Sequence, residues 1–191
     1  MKRLLFLVPL MIQRATGWLP FQPKPGKVQF ANIGEGTYPR GVKTYLADAS
    51  AINSPAVHFL LYKKSAAPPA GTAAADYVTL CTANTDIPLG PSDDGAKLVG
   101  DLLAINLLGA VRGTIRVVTD GTIADGDYVM PSALTVTPVG ASAATAGAVA
   151  KYVVASTNRL IGKAVIPSDS TAEAGATIEM IPMAPTYGTT V

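Results

Sequence analysis

The sequence predicts a mainly β protein: a compact antiparallel β-barrel or sandwich over residues 42–191, preceded by an extended N-terminal arm over residues 1–41. Three observations carry that expectation. Residues 114–183 are a string of short, apolar, β-branched runs, the side chains that suit a pleated, half-buried surface. Asp120-Gly121 and Asp125-Gly126 punctuate the string and offer the positive φ that tight hairpins need. No helical period of 3.6 competes anywhere in this region.

Residues 1–17 begin with Lys2 and Arg3, run apolar from Leu4 to Ile12 and close on the small residues Ala15 and Gly17, so they imitate a secretory signal. The run is shorter than the roughly 20 residues that a bilayer span takes, and Pro9 and Arg14 disturb the signal pattern. The expectation is a retained segment that docks either on its own core or on another subunit, with the neighbour favoured. Leu4, Leu5, Phe6, Leu7 and Val8 are suited to adding a strand to a neighbour's sheet through backbone hydrogen bonds. Residues 18–41 are rich in Pro and Gly, which makes them an extended, semi-rigid strap. Trp18 and Phe21 have nothing local to bury them; they read either as anchors in a partner's groove or as caps on the same subunit's core.

Strands are expected at residues 42–47, 56–62 and 77–83, and at 98–108, where strand is favoured over a short helix. Within the later module they are expected at 114–119, 128–131, 133–138, 149–155, 160–167 and 176–183. Residues 65–75 and 84–95 read as turn-rich connections, and the small-residue stretch 140–147 as a flexible loop.

A chain of 191 residues holds one domain, or one domain with an elaborate arm. Burying roughly 70% of the unfolded surface is normal at this size, so no disulfide or metal is needed to make a core. Charged residues are 15% of the chain, against about 25% in an average soluble domain, and hydrophobic residues reach 49%. So little solvated surface fits an assembly in which neighbours cover much of the exterior. Fifteen Lys and Arg against thirteen Asp and Glu give no general attraction to nucleic acid. The bases are uneven, with Lys2, Arg3, Arg14, Lys24, Lys27, Arg40, Lys43, Lys63 and Lys64 all in the first third. Such an arm could meet an acidic protein surface.

Catalytic chemistry is sparse. Cys81 is the sole cysteine, which excludes an internal disulfide and a cysteine metal cluster; a small buried hydrophobe is its expected role. His58 is the sole histidine and falls in an apolar strand-like run, so a structural role is expected and no His-based relay has members. Asp120, Asp125 and Asp127 lack the alternation and closing Glu of a calcium loop and read as turn residues, as do Asp93 and Asp94. No phosphate-binding or dinucleotide-binding fingerprint occurs. The chain is expected to be no enzyme and to take no cofactor or metal.

The order of phrases in residues 80–185 resembles the capsid-decoration, or cement, proteins of tailed bacteriophages. The pieces that carry it are Asp86-Ile87-Pro88-Leu89-Gly90, Leu107-Leu108-Gly109 and Thr122-Ile123-Ala124-Asp125-Gly126-Asp127-Tyr128-Val129. Leu160-Ile161-Gly162-Lys163-Ala164 and residues 172–182 follow in the same order. The resemblance implies a β-tulip-like protein without enzymatic activity, bound to the outer surface of an icosahedral shell, commonly as a homotrimer. Its partners would be the major capsid protein and other copies of itself, with no direct contact to nucleic acid or membrane. The long strap departs from the short members of that family and would be an added fastening. Two other readings stand beside it: a phage tail or head-completion protein, and a secreted bacterial β-sandwich adhesin with residues 1–17 as its signal.

Overall fold

The computed structural model describes residues 41–53, 57–70, 76–167 and 170–187. Among them the chain forms twelve strands and a single 3-10 turn, Ala49–Ala51. Mainly β architecture is therefore what the residues adopt. The proposed arm, residues 1–41, lies outside the described residues but for Gly41.

The first half curls into a barrel of its own. Its strands are β1 (Val42–Ala47), β2 (Leu61–Lys64), β3 (Tyr77–Leu80), β4 (Gly90–Pro91) and β5 (Leu102–Asn106), in the order β4-β2-β3-β1-β5. The two edge strands meet through an antiparallel bridge between Ser92 and Ile105. Alternation along the strands sends Tyr45, Ala47, Tyr62, Val78, Leu80, Leu103 and Ile105 inward, the period-two pattern of a sheet closed on its side chains.

The second half curls in the same way. Strands β6 (Ile115–Val118), β8 (Tyr128–Pro131), β9 (Val149–Lys151), β10 (Arg159–Val165) and β12 (Thr177–Tyr187) take the order β6-β12-β10-β8-β9. A parallel bridge from Thr119 to Val149, with Asp120 N donating to Val149 O at 2.9 Å, joins the two edges. A register shift between Leu160 and Gly162 bends β10 around the barrel. The short pair β7 (Ile123–Ala124) and β11 (Thr171–Ala172) places Ile123 and Ala172 in the same core as Val117, Val129, Ile161, Ile178 and Met180.

The antiparallel architecture holds with one parallel contact in each barrel, and parity supplies the reason. A ring of five strands cannot close with antiparallel contacts alone, because the strand direction must return to itself after five steps. Each barrel therefore contains one parallel contact: β1 with β3 in the first, and the Thr119–Val149 bridge between β6 and β9 in the second.

Other expectations are overturned. Residues 133–138 form no strand; Val136 makes one bridge, to Thr145. Residues 149–155 pair only over Val149–Lys151, and 56–62 only from Leu61 onward. The bend at His58-Phe59 cuts the latter run short, with Phe59 at φ 64°. The Asp-Gly pairs close no hairpins. Residues 124–127 do make a turn, Asp127 N donating to Ala124 O at 3.2 Å with Gly126 at φ 79°. That turn joins β7 to β8, which pair with different partners.

The loop at 140–147 is not a loose connection. Thr145 and Val136 exchange both backbone hydrogen bonds, at 2.9 and 2.7 Å, and Thr145 Oγ1 donates to Asn53 Oδ1 at 2.6 Å. Gly147 sits so close to Leu60, Leu80 and the carbonyl of Leu61 that a Cβ there would crowd all three. This loop is part of the junction between the barrels, together with Leu61 N donating to Gly147 O at 2.7 Å and Asn84 Nδ2 donating to Asn158 Oδ1 at 2.8 Å.

Candidate interaction surface

The residues singled out in the arm, Leu4, Leu5, Phe6, Leu7, Val8, Trp18 and Phe21, lie outside the described residues. His58 is described and corrects its expectation. It is exposed in a bend rather than packed in a strand, and its Nδ1 lies 2.5 Å from the backbone oxygen of Asp93.

Beside it is a cleft of about 410 Å³ lined by Phe59, Asp93, Asn106, Thr114, Ile115 and Arg116. Phe59 is set there by its backbone. Its N–H donates to Ser92 O at 2.8 Å, and its carbonyl accepts from Val118 N at 3.3 Å, so one residue ties both barrels. Holding a Phe at positive φ costs on the order of 1–3 kcal/mol. The Arg116 guanidinium lies 5.7 Å from the Phe59 ring centroid. The cleft offers one cation, one carboxylate, an amide and a hydroxyl around an aromatic wall.

Most carboxylates of the turns are taken up by the fold itself, on backbone N–H groups, lysines or a serine hydroxyl. Asp127 Oδ2 accepts from Ala124 N at 3.0 Å and its Oδ1 from Lys151 Nζ at 2.9 Å; Asp125 Oδ1 accepts from Ile166 N at 2.9 Å. Asp120 accepts from the Ser132 hydroxyl. Asp86 takes Lys63 Nζ at 2.8 Å together with the N–H groups of Thr82 and Ala83 at 2.7 and 3.0 Å. Burial by itself would raise the Asp86 carboxyl, but these donors outweigh it and hold the group below the usual carboxylate range. Asp127 is likewise pushed up by burial and pulled further down by Lys151 and Ala124 N. Burial raises the Cys81 thiol well above its ordinary value, and the side chain is fully enclosed in the second core, as a small hydrophobe would be.

What the described surface does present is apolar. Leu98 is 67% exposed, Val99 48% and Leu102 68%, all at one end of the first barrel; of the apolar run 98–108 expected as a strand, only Leu102–Asn106 pairs. Gly100 at φ 87° turns the chain there, and Asp101 Oδ2 accepts from Lys97 N and Leu98 N at 2.8 and 2.9 Å. The signal for that turn is the Gly-Asp pair inside an otherwise apolar run. On the second barrel Leu134, Val139, Val153 and Val154 are likewise more than half exposed. Tyr187 stands against Arg159, whose guanidinium lies 3.3 Å from the ring centroid. No family model matches the chain, and no curated protein matches it.

Proposed function

We propose that the chain is a structural virion protein that binds the outer surface of an icosahedral phage head and stabilises the capsid shell. In this reading the N-terminal arm fastens to the major capsid protein or to neighbouring subunits, and the two barrels form the body of the cement subunit. The observation that supports it most directly is the distribution of exposed apolar side chains, Leu98, Leu102, Leu134, Val139 and Val153 among them, on a body whose turn carboxylates mostly staple its own backbone. Scattered apolar side chains are ordinary on a surface, but several grouped on loops of a low-charge body fit surfaces that neighbours cover. A protein that binds only the expanded lattice stabilises that lattice by mass action, and several arms acting together raise effective affinity without one large interface.

The test is co-sedimentation of the full-length protein with expanded, undecorated phage heads. Saturable binding at a fixed ratio to capsid subunits is the expected result. A version lacking residues 1–30 is expected to retain its β circular dichroism and to fail to decorate. Wild-type occupancy by that version would remove the arm from the reading. Ring formation in solution without head binding would turn it toward a tail component.

A further inference from the structure

We infer that the cleft at Phe59 binds an acidic peptide segment of a partner protein. Arg116 takes the segment's carboxylate, Asn106 and Asp93 take the peptide bonds beside it, and Phe59 supplies the wall on which it lies. The inference goes beyond the shell reading and does not depend on it.

The amide is the first argument. Asn106 ends β5 and is only 8% exposed. A buried amide normally spends its donors and its carbonyl on neighbours. Asn53, Asn84 and Asn158 do so, on Ala51 O, on one another and on Val153 O. The Asn106 side chain makes no hydrogen bond to the described residues, and it lines the cleft. A nearly enclosed amide that opens only on a cavity fits a ligand bringing both a donor and an acceptor. A peptide bond brings both.

Two charges stand free at the same cleft. Ile115 and Val117 point into the second core, so alternation along β6 sends Arg116 out. Its guanidinium lies against the Phe59 ring and takes part in neither ion pair found among the described residues. Glu179, its cross-strand partner in β12, accepts from the Thr114 hydroxyl at 3.0 Å instead. Asp93 is exposed, and its carboxylate accepts no backbone N–H among the described residues. Asp86, Asp101, Asp125 and Asp127 all accept one. His58 meets the backbone oxygen of Asp93 rather than its carboxylate.

The signs of these groups choose the ligand. A bare anion at Arg116 would also meet Asp93, with Asp94 beside it in the chain and Glu179 across the strand. An acidic residue within a peptide arrives with N–H groups, which Asp93 accepts as the other turn carboxylates of this fold already do. Its own carboxylate then forms a charge-assisted pair with Arg116. The methylenes of its side chain cover Phe59 and Ile115.

The wall is set before the ligand comes. Ser92 O and Val118 N fix the Phe59 backbone at φ 64°, and strained residues of this sort gather at ligand clamps. A volume of about 410 Å³ lies in the range of small-ligand sites and holds one acidic residue with its flanking peptide bonds.

Two-dimensional nitrogen–proton NMR on the full-length protein tests this, with acetyl-Ala-Glu-Ala-amide, its Gln counterpart and acetate as probes. The Glu peptide is expected to shift the Asn106 side-chain NH2 and Arg116 Nε–H signals saturably, with a Kd of about 1 mM. The Gln peptide should bind wild type about fivefold more weakly, and Arg116→Gln should weaken the Glu peptide by about the same factor. Arg116 is exposed, so the variant's own spectrum should show the fold intact. Acetate should move the Arg116 signal and leave Asn106 in place. Asn106 signals that stay put with the Glu peptide overturn the inference. Equal affinity for the Glu and Gln peptides does the same, and so does acetate that reproduces the peptide's shifts.

Discussion

Leu61 and Tyr62 are neighbours in β2, both without solvent exposure, and they belong to different cores. Leu61 packs among Cys81, Val117 and Val149 in the second core, and Tyr62 among Val78, Leu103 and Ile105 in the first. Val117 and Val118 repeat the division in β6. A strand with both faces buried is where two barrels become one folding unit.

Leu61→Ala should therefore destabilise the whole body, by roughly 2–5 kcal/mol, and leave a single transition. Urea unfolding followed by circular dichroism and by tyrosine fluorescence checks it. Two separated transitions in the wild type would mean that the barrels unfold independently.

The Tyr62 hydroxyl is buried in the first core with no partner among the described residues. An unpaired buried hydroxyl costs about 1–3 kcal/mol. Tyr62→Phe keeps the ring and removes the cost, so the melting temperature should rise by about 2–4 °C per kcal/mol recovered. A clear fall in melting temperature would show that the hydroxyl has found a partner.

Gly90 closes the first barrel at a point where any Cβ would run into the carbonyl of Asn106. Gly90→Ala must push β4 away from β5 and break the edge contact that Ser92 makes with Ile105. The expected loss is about 2–4 kcal/mol. Gly121→Ala has open space around it and should be close to neutral.

Phe59 separates ring from backbone. Phe59→Ala and Phe59→Gly both lose the stack with Arg116, but only glycine adopts φ 64° without strain. The glycine variant should be the more stable of the two by about 1 kcal/mol. Equal stabilities would mean that the bend relaxes when the ring is gone.

Acid should weaken the fold through Asp86 and Asp127. Both carboxyls titrate below their ordinary value in the native protein, so the fold favours their ionised forms. Their contribution is fully present above about pH 4 and is lost as pH falls through the lower native values. Urea midpoints measured from neutral pH downward should drop in that window, and Asp86→Asn should flatten the drop. A midpoint that rises on acidification would contradict the assignment.

Much of this was legible in the chain. The β-branched runs of β6, β8, β10 and β12 announced themselves because alternation of Ile, Val and Thr against polar residues is a local property. Cys81 was readable as a buried hydrophobe for the same kind of reason. The run at residues 133–138 failed because alternation records a half-buried face and says nothing of who pairs with it; Val136 found only Thr145. His58 failed because the bend that exposes it is imposed from outside, by Ser92 and Val118 holding the backbone of Phe59.

By itself the sequence determined that this chain makes strands, where some of its turns fall, and that its surface is poor in charge, since each follows from side-chain shape and local backbone preference. Only the tertiary structure decided that those strands close into two five-membered rings, each with the one parallel contact that an odd ring requires. Closure is a pairing between residues far apart in the chain, such as Ser92 with Ile105 and Thr119 with Val149, and no local preference encodes a partner. The same holds for Leu98, Val99 and Leu102, which have apolar side chains like those of the core; Leu98 and Val99 stand in solvent because they precede β5, and Leu102 because it is the exposed first residue of that strand.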